Sequence, residues 1–260
     1  MVFRLYFHRR FSSGCSALTI TTSRLNKIEI KNKLLTYYRS HNEYFEKLDC
    51  VFAERGRAAY KRGRFDILTY VIDASCVLDV GCGSGALLAF LRELYPEKQY
   101  YGIDISPLAI AKANEKNNVS RSPIMFAVAD IEKTVPFGTE VFDFVIAHEV
   151  LEHFVNPDKA IMNLAKAMKK GGMFFLLAPN LLVRSSPITI AAKALDYLKM
   201  LLNKKYLNLT IVDPPLDKVG GDSDAVYVTN PWELHRMLRH SGFEILKKSH
   251  IKCRLVARKM

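Results

Sequence analysis

Apolar residues recur along this chain in two rhythms. Before residue 75 they fall three and four apart, as in LLTYYRSHNEYFEKL and RFDILTYVI, the period of helices with one buried face. From Cys76 onward they gather into short, near-continuous runs: CVLDV, QYYGIDI, IMFAVAD, FDFVIAH and MFFLLAPN. Runs of this kind belong to strands covered on both faces. Between them GALLAFLREL, PLAIAKANEKN and PDKAIMNLAKAMKK return to helical spacing. The alternation predicts an α/β fold built on a doubly wound, mostly parallel sheet.

Residues 181–228 break the alternation. They open with a helical pattern, PITIAAKALDYLKMLLNK, and continue through a stretch rich in Pro, Gly and Asp. A further helix is predicted to start at Asn230. Asn230 can cap it, Pro231 suits its first turn, Glu233 can return a capping-box bond, and Gly242 closes it. FEILKKSH and KCRLVARK then read as a closing antiparallel hairpin at the sheet edge.

The 260 residues suffice for one sizeable domain with a bulky insertion. No run reaches the ~18 apolar residues of a membrane span. The net charge of +12 is uneven. Residues 1–75 carry 14 Lys/Arg against 7 Asp/Glu, and residues 246–260 carry 6 against none, while the middle is nearly neutral. Basic ends suit either plain solvation or a nucleic-acid partner. Five scattered cysteines form no C-x-x-C pair, which points to a reducing compartment and to packing roles for Cys76 and Cys82. No acid precedes Glu29. Residues 1–27 are therefore set apart as a basic leader, and residues 28–260 form the domain, with N-terminal helices over 28–75. The expected location is cytoplasmic, or the mitochondrial matrix if the leader is a transit peptide.

The chemistry begins at CVLDVGCGSGALLAFLREL. Gly81, Gly83 and Ala86 satisfy the G-x-G-x-x-[GA] turn, which also serves nicotinamide dinucleotides. Three carboxylates argue for another ligand. Asp79 precedes the turn, where it would repel a pyrophosphate. Asp104 ends the second strand, placed for the paired hydroxyls of a ribose. Asp130 ends the third, placed for an adenine amino group. Together they suit a cationic ligand with one ribose and one adenine.

VLDVGCGSG, GIDIS, AVAD, FDFVIAHEVLEH and MKKGGMFFLLAPN resemble, in order and spacing, the class I S-adenosylmethionine-dependent methyltransferases. Among these the motifs are most similar to the ubiquinone-biosynthesis O-methyltransferases and related small-molecule enzymes. The resemblance covers about residues 64–180. It implies a Rossmann-like seven-stranded sheet with the last strand antiparallel, and S-adenosyl-L-methionine as methyl donor. By position, Asp79, Gly81, Gly83 and Gly85 would line the methionine part of the donor. Asp104 would bind the ribose and Ile105 pack on the adenine. Asp130 and Ile131 would meet the adenine edge, His148 would flank the methionine end, and Arg64 is a candidate for the donor carboxylate.

HEVLEH, His148 to His153, lacks zincin spacing: its histidines are five apart, about 500° around a helix. No metal is expected there. His153 and Glu149 are instead candidate general bases, useful when the acceptor is a hydroxyl. The insertion 181–228 is expected to form a lid over the acceptor, or a helix lying on a membrane or a lipid-like acceptor. Asp222, Asp224 and Tyr227 within it are candidates for orienting that acceptor. The expected function is methyl transfer to a small-molecule or lipid-linked acceptor, at oxygen. Two alternatives are a nucleic-acid methyltransferase and a donor-binding partner protein without turnover. The N-P-P-[YFW] motif of amino-group nucleic-acid methylation is absent.

Overall fold

The computed structural model describes residues 26–41, 52, 57–58, 67–117, 123–180, 191, 194–195, 209, 211–216, 223–249 and 253–260. The chain opens with helix α1 (Lys27–Ser40) and a short α2 (Ile67–Val71). Then come β1 (Cys76–Val80), α3 (Ala86–Leu94), β2 (Gln99–Asp104), α4 (Pro107–Asn117), β3 (Met125–Val128) and β4 (Phe142–His148). A single 3₁₀ turn (Leu151–His153), α5 (Pro157–Ala167) and β5 (Met168–Ala178) follow. Helix α6 (Pro231–His240), β6 (Phe243–Ser249) and β7 (Cys253–Lys259) close the fold.

The seven strands form one sheet in the order β3-β2-β1-β4-β5-β7-β6. Pairings among the first five are parallel, and β7 runs antiparallel to both neighbours. This is the Rossmann-like arrangement expected, with the terminal hairpin at the sheet edge. The period-2 pleat divides the core into two layers. Leu78, Val80, Val145, Phe174 and Leu176 face α5 and α6. Val77, Tyr100, Phe144, Ile146 and Phe175 face α2, α3 and the Ile110 side of α4. Both faces of the central strands are dry, so their sequences show no polar alternation. Each fully buried Phe, Leu or Ile contributes about 1.5–3 kcal/mol.

Helix α1 has its own small core. Ile30, Leu34, Tyr37 and Tyr38 line one face of it and pack with Val155 and Val226. It begins one residue inside the stretch set apart as a leader. Asn26 caps it, and the Asn26–Glu29 capping box is complete. Residues 1–25 lie outside the described residues. So does most of the insertion, including Ile188, Leu198, Leu202 and Asp222. Its end is described: Ile211 bridges Tyr227 antiparallel, and Val212 N–H donates to the Val226 carbonyl at 2.7 Å.

Candidate functional site

Parallel strands bring their carboxyl ends to one rim. Register places Asp79 opposite Gly102 and Ile146, Asp104 opposite Val128, and His148 opposite Leu177. The connections leaving this rim therefore collect residues far apart in sequence. Ligands bind at this rim in open α/β sheets.

The glycine turn leaves β1 with Gly81, Gly83 and Gly85 all at positive φ, +69°, +54° and +77°. L side chains avoid that region. The turn is anchored below, where Gly81 and Cys82 N–H groups donate to the Ile103 carbonyl. A Cβ at Gly81 would meet Val150 at 2.4 Å, and one at Gly85 would meet Phe126 at 2.6 Å. A Cβ at Gly83 would meet nothing within 4 Å. Gly81 and Gly85 are thus needed for packing, and Gly83 leaves backbone open on the ligand side.

Asp104 is bound into the turn. Its carboxylate accepts from Gly83 N–H at 3.0 Å and Ser106 N–H at 2.9 Å. Burial still raises its pKa, opposed by those two bonds and by the charge of His153. Asp79 is almost fully buried. Burial, and then the nearby Asp104 charge, push its carboxyl up to about 8. A buried Asp79 with the half-buried Asp104 near it favours a cationic partner, as a sulfonium or an ammonium would be. The open backbone at Gly83 and this acidic pair fit an S-adenosylmethionine-type ligand.

The other expected positions fall into place unevenly. Ile105 packs at the edge of the α1 cluster. Ile131 is buried in the main core. His148 is half-buried, with its imidazole pushed below its ordinary value by burial and held up partly by Glu149. Glu149 is exposed and adopts φ +52°, an unusual conformation for a non-glycine residue. Asp130 already has a protein partner: Lys31 of α1 bridges its carboxylate at 2.7 Å and that of Glu132 at 2.8 Å. Arg64 lies outside the described residues.

The histidine of the 3₁₀ turn has a partner, Asp224, that sequence reading did not connect to it. His153 Nδ1 lies 3.2 Å from the Asp224 carbonyl and 3.5 Å from its carboxylate. The same carboxylate accepts the Tyr38 hydroxyl at 2.9 Å. Asp224 is 2% exposed. The insertion's end is held there because Val226 and Tyr227 N–H groups both donate to the Glu152 carbonyl. No local pattern links positions 38, 153 and 224; the acids of GGDSDAVYV were the only hint. Tyr227 does not reach an acceptor. It is fully buried and donates to Glu233 at 2.8 Å, where it fixes the start of α6 with Asn230.

Comparisons with known proteins agree with this geometry. Residues 78–176 match the family described as methyltransferase domain. A malonyl-[acyl-carrier protein] O-methyltransferase of Legionella pneumophila is 30% identical over 155 residues, covering 58% of this chain and 52% of that protein. A ubiquinone biosynthesis O-methyltransferase of Methylobacterium nodulans is 33% identical over 119 residues, 46% of this chain and 47% of that protein. The chain thus spans about half the length of these curated relatives. Human N-acetylserotonin methyltransferase, solved in complex with SAM, superposes with a TM-score of 0.58 at 21% identity, over 90% of this chain and 60% of that one. That likeness extends to the fold. The sheet order and the glycine turn agree with a methyltransferase domain over residues 78–176, in the fold shared with these proteins.

Proposed function

We propose that this protein transfers a methyl group from S-adenosyl-L-methionine to a hydroxyl of a small-molecule acceptor. The observation that carries the choice of oxygen is His153, held by Asp224 beside the acidic rim. When bound, the donor supplies a methyl carbon made electrophilic by its sulfonium. In this reading the glycine turn admits the methionine part, and Asp79 and Asp104 meet its positive charge and the ribose hydroxyls. Ile105, Asp130 and Ile131 surround the adenine, and His148 and Arg64 serve the methionine end. Asp224 keeps the proton on Nδ1 of His153, so the Nε2 lone pair receives the acceptor's proton as its oxygen attacks. Amines and thiolates need no such base. Glu149, exposed on the same rim, is the second candidate base.

The relatives' own activities, a malonyl-[acyl-carrier protein] O-methyltransferase and a ubiquinone biosynthesis O-methyltransferase, support this choice. A lipid-linked acceptor rests on the apolar helical pattern of residues 181–228. Among the described residues no helix is long and apolar enough to cross a membrane; the proposed location is the cytoplasm. Calorimetry with the demethylated donor, followed by turnover on phenols, carboxylic acids, amines and RNA, tests the reading. His153→Ala should lower hydroxyl turnover by about 10²–10⁴ and leave donor affinity within about twofold. Donor binding without turnover on any class would favour a partner protein, and turnover indifferent to His153 would remove the argument for oxygen.

A further inference from the structure

Glu132 has no role in the donor reading, yet its side chain is only 5% exposed. A carboxylate buried to that degree needs donors around it. Glu132 has three. One oxygen, Oε1, accepts the Val155 N–H at 2.9 Å. The other, Oε2, accepts the Asn156 side-chain amide at 2.9 Å and faces the Lys31 ammonium at 2.8 Å. The loop after β3 is thereby fastened both to α1 and to the segment that leaves the 3₁₀ turn.

That turn carries His153. It is three residues long, and 3₁₀ turns have poor hydrogen-bond geometry of their own. Here it is held from both ends. Just before His153, the Glu152 carbonyl accepts the Val226 and Tyr227 N–H groups. Two residues after it, Val155 is held by Glu132. The imidazole is carried between these two anchors, so moving either one re-aims its ring.

Asn156 shows which contact the fold favours. It stands at the N-cap of α5 but makes no side-chain cap bond, although asparagine is among the preferred caps. Its amide donates to Glu132 instead, and its oxygen accepts from Lys27 at 2.9 Å. Lys27 and Lys31 lie one turn apart on α1 and share a face. That face thus grips Asn156 and Glu132 together. The same helix sends Tyr38 to Asp224, which holds the ring of His153. A carboxylate that only fastened α5 would leave the local cap in place.

We propose that Glu132 is a positioning residue for methyl transfer: through Val155 and Asn156 it fixes the 3₁₀ turn so that the His153 imidazole meets the acceptor's hydroxyl. This role rests on the reading of His153 as base. Glu132 itself touches no reacting atom. Glutamine at this position has one oxygen for three donors, so an N–H group would face another donor and the turn would shift. A hydroxyl needs its base within hydrogen-bond reach as it attacks, and a displacement of about 1 Å can cost about a hundredfold in rate. A thiolate needs no base and should not feel the change.

The full chain is compared as parent, Glu132→Gln, His153→Ala and the double variant, with phenol and thiophenol as acceptors. Glu132→Gln should lower turnover of phenol by about ten- to a hundredfold. Turnover of thiophenol and affinity for the demethylated donor should stay within about twofold. In the His153→Ala background the same substitution should change phenol turnover by less than about twofold, because the group it positions is gone. The His153 ring resonance, assigned by its loss in His153→Ala, is followed by NMR without any acceptor. It should move in Glu132→Gln while those of His235 and His240 on α6 stay in place. If Glu132→Gln melts below the assay temperature, Asn156→Ala removes one of the three bonds and gives the same reading. The role is overturned by an unmoved His153 resonance, by equal losses in both backgrounds, or by equal losses for phenol and thiophenol. Phenol turnover indifferent to His153→Ala, with a ring resonance that still follows Glu132, would instead remove the base and leave the placement standing.

Discussion

The Tyr38 phenol donates to the Asp224 carboxylate at 2.9 Å, across 186 positions of sequence. Helix α1 thereby reaches the residue that holds His153. Ser106, just after the ribose-binding candidate Asp104, donates its hydroxyl to the Tyr38 carbonyl at 3.2 Å, so the Asp104 loop and His153 are joined through one helix.

Asp224→Asn keeps the shape of this joint and removes its charge. Turnover should fall by roughly ten- to a hundredfold, with donor affinity unchanged. Tyr38→Phe leaves a buried carboxylate one donor short and should cost about 1–3 kcal/mol of stability, read from urea unfolding. Turnover unchanged by Asp224→Asn would show that the aspartate does not position the histidine.

Asp79 makes a prediction about protons. Its folded pKa, about 8, lies above its ordinary 3.8. The folded state thus holds a proton that the unfolded state releases. The stability this confers is complete below about pH 4 and is lost as pH rises toward 8. Asp79→Asn should therefore raise the melting temperature at pH 8 and change it little at pH 4. A cationic donor favours the ionised form, so binding should release a proton at pH 7. Calorimetry in buffers of different ionisation enthalpy would detect it; identical apparent enthalpies in all buffers would contradict the assignment.

Asp130 is tied to α1 through Lys31. If its role were confined to the donor, Asp130→Asn would weaken binding alone. The ion pair is mostly buried, and we expect a loss of about 1–3 kcal/mol without any ligand, or roughly 2–12 °C in Tm. A thermal melt of the ligand-free protein decides this.

The glycines of the turn should separate by function. Gly81→Ala drives a methyl into Val150 and should lower expression and Tm. Gly83→Ala has room and pays only for its left-handed backbone, about 1–2 kcal/mol. Its main effect should fall on donor affinity. Equal losses of Tm in both variants would mean that the open side of Gly83 is not where a ligand approaches.

Removing residues 1–25 should leave Tm and donor affinity in place. Removing residue 26 as well deletes the Asn26 cap and its capping box, which should cost about 1 kcal/mol. A stepwise pair of truncations compared by differential scanning calorimetry tests this directly.

Much of this protein is written locally. Two-faced burial makes CVLDV and FDFVIAH continuous apolar runs, so strands, helices and the parallel sheet could be read without coordinates. The glycine turn was legible for the same reason: positive φ at three alternate positions restricts the choice of residue almost to glycine. Strand-end carboxylates were legible because a parallel sheet gathers those ends at one rim. The partners of those residues were not. Lys31 reads as one more solvated lysine, and its place on Asp130 depends on how α1 lies across the rim. Tyr227 looks like a loop aromatic and is wholly buried. The Tyr38–Asp224–His153 joint assembles from three separate elements, and no period in the chain encodes such a meeting. Short-range spacing determines which face of an element is buried. Which faces then meet is decided by packing of the whole core, and that is a property of the tertiary structure alone.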